Sequence, residues 1–292
     1  MQKPTSLPPE RSGKIANPKL LARRKALADA KDAGIWQTKP PPQEIKIAGV
    51  RALKFSPSGK SRGTILHIHG GAFRIGCPEQ ISHFALALAQ HCSVTVICPA
   101  YRLAPEYPYP AGLNDTRAVM EVLIADNDTP LILSGDSAGG GLAAGLAAMA
   151  VNNAKRPAGL VLLSPWLDLT VSSASYRQNA SSDPLFSAES AREAAELYLQ
   201  GHPPSDVLAS PLLGSVEEFP PTLINVGYDE VLAGDARQFH LKLLGASIPV
   251  QLQIVKAMEH VAVTRSLSLP GAAETFEALV SFINGLLLPS AE

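Results

Sequence analysis

The sequence predicts an α/β fold, in which a mostly parallel eight-stranded sheet carries helices on both faces. Short apolar runs alternate along the chain with helical segments, and this alternation is typical of strand-helix-strand units. Several of these runs end in polar residues, as strands of α/β sheets do where they present functional groups. With 292 residues, 46% of them hydrophobic, the chain is long enough to bury one large core. We therefore expect a single domain over residues 1–292.

Eight segments have the length and composition of strands. In chain order they cover residues 44–47, 50–55, 64–69, 94–99, 130–134, 159–164, 222–226 and 250–255. No internal repeat is visible among them.

Two segments stand apart from this alternation and are expected to form a helical cap. The first, about residues 1–40, contains a helical stretch at 18–32 and ends in the linker-like run Pro40-Pro41-Pro42. The second, about residues 171–221, separates the sixth strand from the seventh and contains a helical stretch at 188–199. A cap excludes water from a site and provides an apolar wall for a ligand.

The motif Gly135-Asp136-Ser137-Ala138-Gly139 follows an apolar strand and opens a segment rich in small residues. A G-x-S-x-G sequence between strand and helix is typical of a nucleophile elbow, a strained turn that exposes the serine hydroxyl. The glycines are needed where a Cβ would clash with the neighbouring strand and helix. The pattern predicts that Ser137 is a nucleophile.

A serine nucleophile needs a general base and an orienting acid. His260, in the loop after the last predicted strand, is the expected base, and Asp229, at the end of the seventh strand, is the expected acid. Asp235 and, more weakly, Asp168 stay open as alternatives to Asp229. The order serine, acid, histidine is that of α/β-hydrolases and not that of the chymotrypsin-like or subtilisin-like enzymes.

The third predicted strand ends in a glycine-containing loop that can supply an oxyanion hole. Glycines allow backbone N–H groups to turn toward a developing alkoxide. The residues expected to surround the hole are Gly70, Gly71, Ala72 and Ala138, the last following the nucleophile directly. His69 is expected to brace this loop, and His67 to be a buried structural histidine.

These motifs together resemble the hormone-sensitive-lipase-like esterases, the bacterial family IV carboxylesterases. The resemblance covers roughly residues 60–265 and includes Tyr101-Arg102-Leu103-Ala104-Pro105-Glu106 and Ser164-Pro165-Trp166-Leu167-Asp168. It implies an α/β-hydrolase fold, hydrolysis of short- to medium-chain carboxylic esters, a cap and no cofactor. The chain departs from the family pattern at Ala72, a usual glycine, at Glu230-Val231 after the expected acid, and at Ala262 after the histidine.

The substrate pocket is predicted less specifically than the reacting groups. Phe73, Leu185, Phe186 and Tyr198 are expected to line an apolar wall beneath the cap. Two alternatives to an esterase stay open. One is an amidase or acyl-peptide hydrolase with the same triad, and the other is a non-catalytic small-molecule-binding protein of this fold.

Charge and composition exclude several other classes of function. The formal net charge is −1 and no basic stripe is present, which argues against a nucleic-acid partner. No apolar stretch has the form of a signal peptide or a membrane span, so a cytoplasmic protein without stable membrane insertion is expected. The three cysteines have no zinc-site spacing, and no metal is predicted. The expected partner is a small ester, and the sequence is compatible with a homodimer.

Overall fold

Eight strands form one sheet in the computed structural model, which describes residues 7–126, 129–150 and 156–287. The strands are β1 (Gln43–Ile47), β2 (Val50–Phe55), β3 (Thr64–Ile68), β4 (Thr95–Pro99), β5 (Leu131–Asp136), β6 (Gly159–Leu163), β7 (Thr222–Gly227) and β8 (Val250–Val255). Their order across the sheet is β1-β2-β4-β3-β5-β6-β7-β8. β2 runs antiparallel to β1 and β4, and the remaining neighbours are parallel. The predicted α/β-hydrolase architecture is confirmed.

The described helices are α1 (Pro18–Asp32), α2 (Ser82–Cys92), α3 (Ala111–Asp126), α4 (Ala138–Ala150), α5 (Ser175–Gln178), α6 (Ala188–Leu199), α7 (Ala233–Gly245), α8 (Ala262–Arg265) and α9 (Ala272–Leu286). The predicted helical stretches at 18–32 and 188–199 coincide with α1 and α6. β5 is longer than predicted because it stays paired with β6 as far as Asp136, so the strand leads directly into the elbow. Within the described residues, no helix combines the length and apolar composition that crossing a bilayer requires.

The two faces of the sheet pack against different helices. Successive side chains of a strand point to opposite faces, so in β3 Leu66 faces the layer that contains α3 and α4, whereas Ile65 faces the layer of α2 and α9. The central strands β3 and β5 are buried along their whole length. Burial on both faces is typical of the middle of a parallel sheet and gives the site a rigid base.

The small residues of α4 allow this helix to lie very close to the sheet. A Cβ on Gly139 would be 2.0 Å from the carbonyl oxygen of Ile68, and a Cβ on Gly135 would be 2.2 Å from the carbonyl oxygen of Gly139. Both distances are shorter than any real contact, so a side chain at either position would push α4 away from β3 and β5. The glycines therefore fix where Ser137, midway between them, lies.

The two segments predicted as a cap contact each other. Arg11 donates a hydrogen bond to the carbonyl of Leu199 at the end of α6 (2.9 Å), and the Lys14 amide donates to the Gln200 side chain (3.2 Å). Their role as a cap stays a prediction, as do the domain limits. Residues 1–6 of the first segment lie outside the described residues.

Candidate active site

Ser137 occupies a strained turn between β5 and α4. Its φ is +53°, in the left-handed region that costs a residue with a side chain about 1–2 kcal/mol. Backbone hydrogen bonds hold this conformation: the Ser137 amide donates to Leu163 (2.8 Å), and the Ser137 carbonyl accepts from Trp166 (3.0 Å). The turn places the serine at the carboxyl ends of the central strands, as predicted for a nucleophile elbow.

A continuous series of hydrogen bonds joins Ser137, His260 and a carboxylate. The Ser137 Oγ lies 2.9 Å from Nε2 of His260, and the other ring nitrogen, Nδ1, lies 2.6 Å from Oε2 of Glu230. His260 comes from the loop between β8 and α8, and Glu230 from the loop between β7 and α7. The His260 and Glu230 side chains are 11% and 2% exposed, so water has little access to the pair.

The carboxylate at His260 belongs to Glu230 and not to Asp229, which corrects the predicted contact. β7 ends at Gly227, and the turn residues Tyr228 and Asp229 are exposed. Glu230 is the first residue to return to the interior, where its longer side chain folds back so that Oε1 accepts from the Gly227 amide (2.6 Å). Asp229 has no hydrogen bond to His260 and lies beside it at the rim of a cavity.

Glu230 is fixed by donors on both of its oxygens. In addition to the Gly227 amide, Oε1 accepts from the Ser164 hydroxyl (2.7 Å), and Oε2 is bonded to His260. Ser164 also accepts from the Val261 amide (3.3 Å), next to the histidine. Ser164 therefore connects the acid to the histidine loop, a role that the sequence did not suggest.

The surroundings of His260 raise the pKa of its imidazole. Burial by itself lowers this pKa, but the charge of Glu230 and its hydrogen bond to Nδ1 outweigh that effect, with smaller contributions from Asp183 and Asp136. The histidine is therefore a stronger base than a free imidazole, and its protonated form is stabilised in the site.

The two alternative acids lie elsewhere. Asp235 is buried, and its Oδ2 accepts from the amides of Leu167 and Asp168, both at 3.1 Å. Burial raises the pKa of Asp235 to about 8. Asp168 accepts from hydroxyl groups of its own loop, those of Thr170 and Ser172. Neither carboxyl is bonded to His260, so both support the loop after β6.

The loop after β3 adopts three successive positive φ values, at Gly71 (+108°), Ala72 (+52°) and Phe73 (+60°). The glycine is obligatory at Gly71, where a Cβ would lie 1.9 Å from the Ile75 carbonyl oxygen. Ala72 accepts the left-handed conformation at the cost that a side chain brings there, about 1–2 kcal/mol. The replacement of the family's usual glycine by Ala72 therefore leaves the turn intact.

Two backbone amides of the loop after β3 and one at the elbow have no acceptor within the described chain. In the part of the chain that the structure describes, the amides of Gly71, Ala72 and Ala138 donate no hydrogen bond. Ala138 is also the first residue of α4, where the helix dipole favours negative charge. Gly70 lies against the elbow, since a Cβ there would be 3.1 Å from Cβ of Ser137, and its carbonyl accepts from His69.

A second serine, histidine and aspartate cluster lies below the elbow. His67 is bonded to Ser134 through Nδ1 (2.8 Å) and to Asp136 through Nε2 (3.2 Å). His67 is 0% exposed and Ser134 is 1% exposed, so no substrate can reach them. The predicted structural role of His67 fits this burial, and His69 braces the loop through Gly70 as expected.

The four predicted pocket residues occupy different environments. Phe73 and Tyr198 are buried and stacked on each other, with ring centres 3.9 Å apart. Phe186 is parallel to the His260 ring at 6.0 Å, and Leu185 is half exposed. Trp166, which is not among the predicted pocket residues, contacts both Phe73 and Phe186. Of the four, Phe186 is the one whose ring lies against the reacting groups.

Two cavities flank the site. One, of about 270 Å³, is bordered by Gly70, Gly71 and Val261, with Trp36 and Ile75 adding apolar surface. The other, of about 230 Å³, is bordered by His260 and Glu230. Three further acidic residues lie around it: Asp183, Asp229 and Glu259. One cavity therefore lies against the loop after β3, and the other lies against His260 on the side of Glu230.

A serine bonded to a histidine that is bonded to a carboxylate, at the carboxyl ends of a parallel sheet, defines the serine-dependent α/β hydrolases. Comparison with known proteins agrees, because residues 65–264 match a family described as alpha/beta hydrolase fold. An acetyl-hydrolase of Streptomyces hygroscopicus is 36% identical over 76% of this chain and 75% of its own length. An esterase of Acinetobacter venetianus is 35% identical over 73% of this chain and 72% of its own.

Solved structures extend the comparison to the whole architecture. An esterase from the bacterial hormone-sensitive lipase family is 28% identical, with a TM-score of 0.80 over 94% of this chain and 100% of its own. A hormone-sensitive lipase from a metagenome library is 29% identical, with a TM-score of 0.84 over 94% of both chains. The chain belongs to the alpha/beta hydrolase fold family and, within it, to the hormone-sensitive-lipase-like serine carboxylic ester hydrolases.

Proposed function

We propose that this protein hydrolyses carboxylic esters of short to medium acyl chain through an acyl-enzyme intermediate. In this proposal Ser137 is the nucleophile, His260 the general base and Glu230 the orienting acid. One observation carries it: the unbroken hydrogen-bond series from the Ser137 hydroxyl through both ring nitrogens of His260 to Glu230.

The acylation step follows from that geometry. Oγ of Ser137 attacks the ester carbonyl carbon while Nε2 of His260 takes the hydroxyl proton. Glu230 holds the proton on Nδ1, which leaves Nε2 free to accept, and it stabilises the imidazolium that forms. Collapse of the tetrahedral intermediate breaks the bond to the alcohol oxygen, which receives the proton from Nε2. The alcohol leaves and the acyl group remains on Ser137.

Deacylation repeats the sequence with water as the nucleophile. His260 removes a proton from the water, the hydroxide attacks the acyl carbon, and Oγ of Ser137 regains a proton as the acid leaves. In both steps the carbonyl oxygen becomes negatively charged. The unused amides of Gly71, Ala72 and Ala138 are the donors that we assign to this oxygen, with Gly70 allowing the close approach.

The cavities next to the site are small. Volumes of about 270 and 230 Å³ lie just below the roughly 300–1,000 Å³ that is typical of pockets for drug-sized ligands. One of the similar proteins is named an acetyl-hydrolase, which fits a short acyl group. Phe186, parallel to the His260 ring, supplies the apolar surface nearest the reacting groups.

The nucleophile is tested with Ser137→Ala and an organophosphate label. The variant should keep the wild-type melting temperature and lose about 10⁴- to 10⁶-fold in kcat on a p-nitrophenyl ester, because the remaining groups cannot form the acyl-enzyme. Peptide mass spectrometry should find the label on Ser137 alone. The matched control is Ser134→Ala, since Ser134 is bonded to the buried His67 and should keep both activity and labelling. Label on any other serine would contradict the assignment.

Substrate class is tested with esters of increasing acyl length and with a matching anilide. We expect kcat/KM to be highest for acetyl to hexanoyl esters and to fall for longer chains. An anilide hydrolysed as fast as the ester would instead favour an amidase.

A further inference from the structure

The strained loop after β3 needs support from outside itself. Gly71, Ala72 and Phe73 all have positive φ, and the last two carry side chains that disfavour this conformation. The loop's own hydrogen bonds, from the amides of Arg74 and Ile75 to the Gly71 carbonyl, close the turn. They do not fix the turn relative to Ser137.

Arg24 of α1 supplies a fixed point for this loop. Its Nε donates to the carbonyl of Arg74 at 2.9 Å, directly after the strained residues. The same guanidinium donates through Nη2 to the carbonyl of Ala104 (2.6 Å) and through Nη1 to the Glu106 carboxylate (2.8 Å). Three donors of one rigid planar group thus join the loop to residues 104–106.

The segment on the far side of Arg24 is itself bonded to the loop. The Ala104 amide donates to the carbonyl of Phe73 at 2.9 Å. Arg24 and Ala104 therefore hold two consecutive carbonyls, those of Phe73 and Arg74, at the end of the run of positive φ values. The Arg24 side chain is 24% exposed, so these bonds are partly shielded from water.

The charge of Arg24 is balanced at the same place. Burial raises the pKa of Glu106, but the hydrogen bond and charge of Arg24 outweigh it, so the pKa of this carboxyl lies below its usual value. The Glu106 carboxylate is therefore ionised near neutral pH. The guanidinium is kept at the loop by a charged partner as well as by two carbonyls.

We propose that Arg24 is a positioning residue that holds the amides of Gly71 and Ala72 in place to bind the oxyanion. The inference rests on the proposed function, since it assumes that these amides bind the charged oxygen of the tetrahedral intermediate. It assigns helix α1 a part in transition-state stabilisation, in addition to the predicted role in a cap. We call the hydrogen bonds of Arg24 to Arg74, Ala104 and Glu106 the clamp. Loss of the clamp lets the loop relax from its strained conformation and moves the donors away from the oxyanion.

The experiment compares Arg24→Gln and Arg24→Lys with the control Lys25→Gln. Lys25 is the next residue of α1, is exposed and pairs only with Asp29 one turn further on within the described chain. Complete removal of one oxyanion donor costs about 10²- to 10³-fold in kcat. Misplacement without removal should cost less, so we expect kcat to fall about 10- to 100-fold in Arg24→Gln with KM within about threefold. Active sites are counted by organophosphate titration, so that unfolded protein does not lower kcat.

A transition-state mimic separates positioning from a general structural role. A trifluoromethyl ketone forms a tetrahedral adduct with a charged oxygen, and its affinity should fall in parallel with kcat/KM across the Arg24 variants. Arg24→Lys keeps the charge but not the planar fork, and it should fold and lie between wild type and Arg24→Gln. Added guanidinium ion should restore part of the kcat of Arg24→Ala and none of that of Ser137→Ala.

The outcomes distinguish the clamp from the proposed function. Unchanged kcat per titrated site in Arg24→Lys and Arg24→Gln, or a loss in KM alone, would overturn the inference while leaving the esterase intact. A lower melting temperature with unchanged affinity for the ketone would overturn it as well. Wild-type protein that neither hydrolyses esters nor takes the label on Ser137 would instead refute the proposed function.

Discussion

Replacement of Glu230 by glutamine should remove most of the catalytic rate, and the structure allows the size of the loss to be worked out. Glu230 Oε2 lies 2.6 Å from Nδ1 of His260, which at an effective dielectric constant of about 20 corresponds to about 6 kcal/mol between carboxylate and imidazolium. At about 1.4 kcal/mol per factor of ten, this sets an upper limit between 10⁴- and 10⁵-fold. Part of the interaction survives as a neutral hydrogen bond, so we expect kcat to fall about 10³- to 10⁴-fold.

A second effect of the glutamine acts in the same direction. Its amide can donate to Nδ1, which places the ring proton on Nε2, the nitrogen that must accept the proton of Ser137. Glu230→Asp keeps the charge but shortens the side chain by one methylene, so its kcat should lie between those of wild type and Glu230→Gln.

The assay is hydrolysis of p-nitrophenyl acetate by Glu230→Gln and by the matched variant Asp229→Asn. Asp229 is the exposed neighbour with the same chemistry and no bond to His260, so Asp229→Asn should keep kcat within about twofold. Thermal melts confirm that both variants are folded. If Asp229→Asn loses as much activity as Glu230→Gln, or if Glu230→Gln keeps a tenth of the wild-type rate, the assignment of Glu230 is refuted.

Two further predictions concern pH. Only the neutral form of His260 accepts the Ser137 proton, and the pKa of His260 is raised. The midpoint of the rise of kcat/KM with pH should therefore lie above about pH 6.5. In Glu230→Gln this midpoint should move to lower pH. A wild-type limb below 6.5 would contradict the dominance of Glu230 over burial. Burial raises the pKa of Asp235 to about 8, so the folded state binds a proton that the unfolded state has released, and stability should decline from about pH 4 toward pH 8. Melting temperatures of Asp235→Asn, which lacks this proton, should decline less over that range, and equal slopes would show that Asp235 is ionised in the folded protein.

The fold could be read from the sequence because its signals are local. The strands β3 to β7 in the middle of the sheet are short apolar runs. The segments 18–32 and 188–199 have helical patterns and form α1 and α6 with the same bounds. The nucleophile elbow could also be predicted, because the glycines of G-x-S-x-G are needed where a side chain would clash. In the structure, Gly139 lies so close to Ile68 that no side chain would fit between them.

The carboxylate that contacts His260 could not be predicted in the same way because its position depends on a turn. Asp229 and Glu230 are adjacent in sequence, and both follow an apolar strand. Which of them reaches His260 is decided by the two exposed residues after Gly227, which place Asp229 outside and Glu230 inside. The sequence offers a second observation, since Glu230 stands where the family pattern has proline. A glutamate that is buried needs hydrogen-bond donors for its carboxylate. Those donors, Gly227 and Ser164, come from two different strand ends, a long-range arrangement that spacing alone does not encode.

The residues lining the substrate pocket were predicted from residue type alone. Residue type does not distinguish the wall of a pocket from the hydrophobic core. Phe73 and Tyr198 are aromatic and lie in the expected segments, yet they stack on each other and are buried, whereas Phe186 lies against His260. The difference comes from the packing of α6 on the loop after β3, through contacts far apart in sequence. The hydrogen bonds of Arg24 could not be predicted for the same reason, since its three acceptors lie 50 to 82 residues further along the chain.

The two serine, histidine and carboxylate clusters differ in ways that bear on which of them can react with a substrate. Both join the same kinds of side chain at similar distances, 2.8 and 3.2 Å around His67 and 2.6 and 2.9 Å around His260. At His67 the serine is in the middle of a buried strand, so its hydroxyl has neither an approach for a carbonyl carbon nor an unused amide beside it. At His260 the serine is held outside the strand by a strained turn, and the next amide in the chain, that of Ala138, has no acceptor within the described residues. In the proposed mechanism the hydrogen-bonded triad is therefore not sufficient. The strained turns at Ser137 and Ala72 must also present the nucleophile and the donors, and we propose that Arg24 helps to hold the second of these turns.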